Sequence, residues 1–196
     1  MRALIVTAFV SLDGVMEAPG GELGYRHAGW TFKNVPFDEA AYELKDREQQ
    51  EAGALLLGRR SYEAFAPIWP AMTEEFGRYN ALPKYVVSTT FDQDDLVGNW
   101  GEITLLRSVD DVAQLKETEG GPISVHGSAE LGQSLADAGL VDRYHLLVFP
   151  LLLGAGKRLF STADKDASAL ELLDHEVYSN GVQKVIYDVV PAGSAL

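Results

Sequence analysis

The chain alternates apolar segments of strand length with segments in which apolar residues recur at helical spacing. Residues 3–10 (ALIVTAFV) form a nearly continuous apolar run, which is typical of a strand buried on both faces. Ser179-Asn180-Gly181 lies between two strand-like stretches and predicts a β-hairpin, because Asn and Gly tolerate the positive φ of tight turns. The other predicted strands cover residues 54–57, 84–89, 103–107, 123–126 and 144–153.

The segment 35–50 has the period of an amphipathic helix, with Phe37, Ala41 and Leu44 on one face and acidic and basic residues opposite. Shorter helices are predicted for residues 59–65, for the segment that Ser108 caps and for the segment that ends at Gly139. Because strands alternate with helices, we predict an α/β fold with a mainly parallel central sheet. Helices should cover both of its faces, with the antiparallel hairpin at one edge.

Composition narrows the classes of protein to which the chain can belong. Its 196 residues, 46% of them apolar, predict a single soluble domain over residues 1–196. The formal net charge of −13 argues against nucleic-acid binding, which depends mostly on electrostatic attraction to phosphates. No apolar run reaches the length of about 18 residues that a membrane span needs, so we expect a cytoplasmic protein. The absence of cysteine and the scattered positions of the four histidines predict no metal site.

In open α/β sheets, ligands bind at the carboxyl ends of the parallel strands, and residues that follow three predicted strands suit an anion. Two adjacent arginines in so acidic a chain indicate a bound phosphate, with the alternative that they pair with surface carboxylates. A Gly-Ser turn before a helix suits a pyrophosphate, and its serine is equally suited to cap the helix. The candidates are Gly58, Arg59, Arg60 and Ser61, then Ser88 and Thr89, then Gly127, Ser128 and Ala129.

Two aspartates are candidates for chemistry at the same edge of the sheet. Asp13 follows the first strand, where it either supplies a proton or contacts a cofactor, or forms a turn with Gly14. Asp38 begins the long helix, where a carboxylate also complements the helix dipole. The chain has no G-x-S-x-G motif and no metal-ligand cluster, so a hydrolase is not supported.

Five segments in this order resemble the dihydrofolate reductase-like superfamily: FVSLDGVMEAPGG, LLLGRRSYEAF, KYVVSTT, ISVHGSAEL and GLVDRYHLLVFPLLLGAGKRLF. The resemblance covers roughly residues 2 to 190. It is closest to the branch that contains the C-terminal reductase domain of the bifunctional riboflavin-biosynthesis deaminase/reductase. It implies a dihydrofolate reductase-like three-layer sandwich. The Gly-Gly pair of folate reductases and the H-x-E and P-C-x-x-C motifs of the deaminase are absent, so we expect a stand-alone reductase with a substrate other than folate.

The resemblance also implies NADPH as the cofactor and Asp38 as a residue that borders the substrate pocket. It assigns the phosphates, the adenosine side, the pyrophosphate and the nicotinamide to four loops in turn: Gly58, Arg59, Arg60 and Ser61; Ser88 and Thr89; Gly127, Ser128 and Ala129; and Ser11, Asp13 and Gly14.

Together these features predict an NADPH-dependent reductase. It would transfer hydride to a C=N or C=O carbon of a small heterocycle or a ribosylamino-pyrimidine-like compound. The alternative is a dimeric NADP- or ligand-binding protein without turnover. We expect a homodimer in either case, because the predicted strand 144–153 and the terminal hairpin supply apolar surface near a sheet edge.

Overall fold

The computed structural model describes residues 1–22, 24–191 and 193 of the chain. In these residues, eight strands form one sheet in the order β4-β3-β2-β5-β1-β6-β8-β7. The first six strands in that order are parallel to one another, whereas β8 is antiparallel to both β6 and β7. This confirms the mainly parallel sheet with a C-terminal antiparallel hairpin. The strands are β1 (Leu4–Ser11), β2 (Ala54–Gly58), β3 (Lys84–Val87), β4 (Ile103–Leu106), β5 (Ile123–His126), β6 (Arg143–Phe149), β7 (Leu170–Val177) and β8 (Gln183–Val189).

Helices cover the sheet on both faces, and four of them match the predicted helical segments. The sequence pattern missed α1, which is a single turn, and α4, whose backbone departs from helical geometry at Phe76 and breaks the period. The helices are α1 (Trp30–Lys33), α2 (Glu39–Glu51), α3 (Arg59–Phe65), α4 (Thr73–Ala81), α5 (Val109–Lys116) and α6 (Ala129–Asp137). None of the helices in the described part of the chain combines the length and the apolar composition that a membrane crossing requires.

The apolar run of β1 is continuous because both faces of the sheet are covered. Alternate residues of a strand point to opposite faces. Leu4, Val6, Ala8 and Val10 belong to a core that also contains residues of α5 and α6. On the other face two separate apolar clusters lie beneath α2 and beneath α3 and α4.

Helix α2 differs from its prediction in where it begins and in which residues it buries. It begins at Glu39, because Asp38 is the N-cap and accepts the Ala40 amide. Phe37 therefore lies outside the helix and is 66% exposed. Lys45 and Glu48, which the amphipathic pattern assigned to the polar side, instead extend toward the sheet. The assignment of these two residues to a solvated face was wrong.

Two predicted strands end earlier than expected. Strand β3 stops at Val87, because Ser88 Oγ accepts the amides of Thr90 and Phe91 and thereby forms a turn. Strand β6 stops at Phe149, directly before Pro150, which has no amide hydrogen to continue the ladder. Strand β6 also lies inside the sheet, between β1 and β8, so the edge near the terminal hairpin is formed by β7.

Candidate functional site

The strand order brings the predicted site residues to one edge of the sheet. Strands β3, β2, β5 and β1 are consecutive neighbours and parallel, so the loops that follow them emerge side by side. From one side to the other, these loops carry Ser88 and Thr89; Gly58, Arg59, Arg60 and Ser61; Gly127, Ser128 and Ala129; and Ser11, Asp13 and Gly14.

Ser128 connects two of these loops directly. Its Oγ accepts the Gly58 amide at 2.9 Å and lies 2.9 Å from Ser61 Oγ. It makes no side-chain hydrogen bond to an amide of its own helix, so Ser128 precedes α6 without capping it by its hydroxyl. Ser128 thus occupies the N-cap position, as one of the two interpretations had it, but without the capping hydrogen bond. The hydroxyl instead fixes the turn after β5 against the turn after β2.

The glycines of these two turns allow close packing. Gly127 has φ +65°, and a Cβ on it would lie 3.1 Å from Cζ of the Phe65 ring. A Cβ on Gly58 would lie 3.5 Å from Leu131 Cβ and 3.6 Å from Ser128 Cβ. Each glycine thus lets its turn pack closely against the helix that follows the other strand.

Cations gather around this pair of turns. Arg59 donates to Glu63 Oε1 at 2.9 Å, so one of the two arginines does pair with a surface carboxylate. Arg60 is exposed and forms no ion pair with any residue that the structure describes. A 2.7 Å hydrogen bond from Lys157 lowers the pKa of Glu130, and the charges of Arg60 and Arg59 lower it further. Three cations therefore lie near the first turn of α6.

Arg107 extends this positive region to the end of β4, where the sequence analysis named no candidate. Its guanidinium donates to the carbonyl oxygens of Ser88 and Phe91 and remains half exposed. Ser88 itself is buried and uses its hydroxyl within the turn, whereas Thr89 is exposed. A basic residue directly after a parallel strand was the signal that could have identified Arg107.

Asp13 holds the loop that follows β6. Its carboxylate accepts the amides of Leu153 at 3.1 Å and Gly154 at 2.7 Å, and the Ser11 hydroxyl at 2.6 Å. The hydrogen bond from Ser11, together with these backbone amides, lowers the pKa of Asp13 to about 2. Such a group is ionised at neutral pH and carries no proton to donate. The geometry favours a loop-forming role for Asp13, although through a partner loop and not through Gly14.

Asp38 lies beside the turn that joins β7 and β8. One of its oxygens accepts the Ala40 amide, and the other accepts the Ser179 hydroxyl at 2.6 Å. The carboxylate thus caps α2 and connects it to the β7–β8 turn. Both bonds describe a structural role and leave its part in the substrate pocket a prediction.

A buried polar network lies between α2 and the sheet, where the sequence analysis identified none. Glu48 is at its centre: its carboxylate accepts the Thr7 hydroxyl at 2.7 Å, pairs with Lys45 at 3.2 Å and lies 3.1 Å from His145 Nδ1. Burial alone raises the pKa of Glu48, but the Lys45 charge and the hydrogen bonds from His145 and Thr7 outweigh burial and lower it. His126 lies next to Thr7 on the neighbouring strand β5, and burial lowers the pKa of His126 to about 4.

The sequence does contain a signal for this network. Lys45 lies four residues after Ala41, and Glu48 lies four residues after Leu44 and seven after Ala41, which places both on the buried face of α2. Thr7, His126 and His145 are polar residues within otherwise apolar strands. Polar residues at positions that the period predicts to be buried point to a network of this kind.

Comparisons with known proteins agree with this architecture. The protein is 26% identical over 192 residues to the uncharacterized protein YyaP of Bacillus subtilis, and the alignment covers 95% of this chain and 94% of YyaP. The crystal structure of a putative riboflavin biosynthesis protein from Shewanella sp. PV-4 has a TM-score of 0.73 at 21% identity, over 96% of this chain and 99% of that one.

A dihydrofolate reductase from Enterococcus faecalis, solved with NADP(H), has a TM-score of 0.58 at 14% identity, over 95% of this chain and 96% of that one. The fold is therefore dihydrofolate reductase-like. The model of the RibD C-terminal domain family matches residues 2–184. Since that match covers most of the sheet and all the loops described above, the chain belongs to the RibD C-terminal domain family.

Proposed function

We propose that this protein is an NADPH-dependent reductase that acts on a small heterocycle or a ribosylamino-pyrimidine-like compound. The observation that carries the proposal is the pair of glycine turns joined by Ser128, with cations beside them, at the carboxyl edge of the sheet. Membership of the RibD C-terminal domain family and the likeness to a dihydrofolate reductase solved with NADP(H) support it.

The residues at the edge fit a dinucleotide. The close packing at Gly58 and Gly127 brings the turns after β2 and β5 together, and the first amides of α6 would bind a pyrophosphate there. Arg59 and Arg60, with Arg107 on the adenosine side, supply the charge that distinguishes a 2′-phosphate from a hydroxyl. Ser11 and Gly14, on either side of Asp13 in the loop after β1, would border the nicotinamide.

When bound, NADPH supplies a hydride for the C=N or C=O carbon of the substrate. The protein would hold the two reactants in contact and exclude water between them. Asp13 would act by fixing the loop, because its carboxylate is ionised and fully engaged. The proton for the reduced heteroatom would then come from water, and Asp38 stays a candidate beside the substrate.

The experiment that tests this function has two stages. In the first stage, the protein is titrated with NADPH and with NADH, and binding is measured by the quenching of tryptophan fluorescence. NADPH should bind more tightly than NADH. A screen of oxidised heterocycles should then find one that causes NADPH consumption. Binding of neither nucleotide at millimolar concentration would contradict the proposal.

A second function is favoured by one observation, the engagement of both candidate aspartates in structural hydrogen bonds. A dimeric NADP- or ligand-binding protein needs no proton donor. Tight NADPH binding without consumption of NADPH across the whole screen would favour this alternative over the reductase.

A further inference from the structure

The turn that joins β7 and β8 contains Asn180-Gly181, the only Asn-Gly pair in the chain. The Gly181 amide donates to the Tyr178 carbonyl at 3.0 Å, and Gly181 has φ +82°, so it supplies the left-handed residue of the turn. Because glycine has no Cβ, no side chain at position 181 shields its backbone nitrogen from the Asn180 side chain. The pair therefore has the sequence in which an asparagine reacts most readily with the backbone that follows it.

The reaction open to such a pair is deamidation through a cyclic imide. The Gly181 nitrogen loses its proton and forms a bond to Cγ of Asn180, and the bond between Cγ and Nδ2 breaks and releases ammonia. Water then opens the imide at one of its two carbonyl carbons. One opening leaves an aspartate at position 180, and the other leaves an isoaspartate, in which the main chain runs through the former side-chain carbon. Water is the only other reactant.

Three hydrogen bonds oppose this reaction in the folded protein. The Gly181 N–H is engaged with the Tyr178 carbonyl, which disfavours loss of the proton from the attacking nitrogen. The side chain of Asn180 is held at both ends: Nδ2 donates to the Pro36 carbonyl at 2.9 Å, and Oδ1 accepts the Val182 amide at 3.0 Å. Attack on Cγ therefore requires the turn to open first, and local opening of this kind has its own free-energy cost.

The Asn180 amide group also connects the hairpin to the start of α2. Its Nδ2 bonds to Pro36, while the neighbouring Ser179 hydroxyl donates to Asp38 Oδ2 at 2.6 Å. Asp38 is the N-cap of α2. A carboxylate at position 180 has no proton to donate to the Pro36 carbonyl, and it adds a negative charge close to Asp38. Deamidation would thus remove one of the two bonds and weaken the other.

We propose that Asn180 is a deamidation site that the folded turn protects, and that its conversion to aspartate or isoaspartate releases the β7–β8 turn from α2. The observation that carries the proposal is the double role of one group: Nδ2 leaves in the reaction and is also the donor that holds Pro36. The proposal concerns a covalent modification of the chain and does not depend on the nucleotide or on reductase activity.

The first experiment compares the native protein with the same protein unfolded in urea, both incubated at mildly alkaline pH. Peptide mapping by mass spectrometry measures deamidation at each asparagine. Asn34, Asn80 and Asn99 are internal controls, because they precede valine, alanine and tryptophan. In urea, Asn180 should react much faster than these three. In the native protein, Asn180 should react at least about tenfold more slowly than in urea, because several hydrogen bonds must break first.

Two results of this experiment would overturn the proposal. Equal rates at Asn180 in the native and the unfolded protein would show that the turn gives no protection. A rate at Asn180 in urea no higher than at the three control asparagines would show that the pair is not a deamidation site.

A variant tests whether the connection to α2 is part of the protection. Ser179→Ala removes the bond to Asp38 and leaves Asn180-Gly181 intact. It should raise the rate of deamidation in the native protein about threefold to tenfold and leave the rate in urea unchanged. The matched control is Ser134→Ala, an exposed serine whose hydroxyl donates to Glu130 within α6. An unchanged native rate in Ser179→Ala would contradict the connection.

The variant Asn180→Asp reproduces the aspartate product and tests the release of the turn. Hydrogen exchange measured by mass spectrometry should become about threefold to tenfold faster in residues 36–41, which contain the Pro36 carbonyl and the first turn of α2. Asn99→Asp, at an exposed position outside the hairpin, is the matched control and should leave exchange in residues 36–41 unchanged. Unchanged exchange in Asn180→Asp would overturn the proposed release.

Discussion

At the scale of single residues, Arg59 and Arg60 illustrate how adjacent side chains of one type take different roles. Arg59 is partly engaged by Glu63, whereas Arg60 is exposed beside Glu130 and Lys157. A 2′-phosphate would compete with Glu63 for Arg59 and would meet Arg60 without a competing ion pair among the described residues. The two arginines should therefore favour the binding of NADPH over NADH.

Replacement of Arg59 and Arg60 by Ala should weaken NADPH binding far more than NADH binding. Each charge-assisted contact contributes about 1.5–3 kcal/mol, so the NADPH dissociation constant should rise by about tenfold or more. Parallel titrations with both nucleotides check this, with Arg47→Ala on the outer side of α2 as the control. Equal weakening of both nucleotides, or no weakening, would refute the assignment of these arginines.

Asp13 illustrates a residue whose role depends on partners about 140 positions away in the chain. Its pKa is lowered to about 2 in the folded protein, below the ordinary value of 3.8. The stability that its carboxylate contributes is therefore complete above about pH 4 and is lost as the pH falls to about 2.

Asp13→Asn should reduce the free energy of unfolding at pH 7 by about 1 kcal/mol or more. The Asn side chain replaces one carboxylate oxygen by an NH2 group, which cannot accept a hydrogen bond from a backbone N–H of the loop. The difference between wild type and variant should shrink between about pH 4 and pH 2. Urea unfolding at a series of pH values measures it, with exposed Asp166→Asn as the control. NADPH binding should be retained. A difference that did not change with pH would argue against this role.

Loss of at least about tenfold in turnover, at unchanged folding, would restore Asp13 as a participant in proton transfer.

At the scale of elements, the turns after β2 and β5 form one unit. Ser128 Oγ joins them, and Gly127 packs against the Phe65 ring of the helix that follows β2. Phe65 in turn stacks on Trp69 at 4.3 Å, so the ring has little room to move. A side chain at position 127 would separate the two turns.

Gly127→Ala should therefore weaken NADPH binding several-fold and destabilise the fold more than Gly139→Ala does. Both glycines have left-handed φ, +65° and +66°, so the backbone strain of about 1–2 kcal/mol is common to both variants. Only Gly127 has a neighbour that a Cβ would meet, since Gly139 has no atom within 4 Å of that position. Urea unfolding and nucleotide titration of the two variants are compared, and the difference between them measures the effect of the contact between the new Cβ and Phe65. Equal effects on NADPH would contradict a role of this turn in binding.

At the scale of the whole molecule, β7 forms one of the two edges of the sheet, and β4 forms the other. Leu172 and Leu173 on β7 are 47% and 45% exposed, and the register shifts between Leu172 and Asp174. Such an irregularity disturbs pairing with a further strand, so association would use apolar side chains and not backbone hydrogen bonds. The homodimer expected from the sequence stays a prediction, and of the two segments on which it was based only the terminal hairpin lies at a sheet edge.

The wild-type protein should have the mass of a dimer at micromolar concentration, and Leu172→Lys/Leu173→Lys should have the mass of a monomer. Burial of two charged side chains at an apolar interface would oppose association. Light scattering measures both masses, and exposed Ile68→Lys, which lies outside the hairpin, serves as the control. A monomeric wild type would reject the prediction.

The sequence by itself predicted the eight strands and four of the six helices found among the described residues, where several of them end and which fold they form. Ser108 caps α5 as predicted, and Gly139 follows α6 with positive φ. The five ordered motifs carried the resemblance to the fold family. Strand period, cap residues and turn glycines predicted the elements, because these signals act over a few neighbouring positions.

Only the tertiary structure decided which polar side chains meet. Ser128 binds Gly58 from 70 residues away, and Glu48 meets His145 from 97 residues away. These contacts exist because β5 lies between β2 and β1, and β1 lies beside β6, an order that local patterns do not specify. The free energy that selects one strand order comes from burial on both faces of the whole sheet, and that depends on all the segments together.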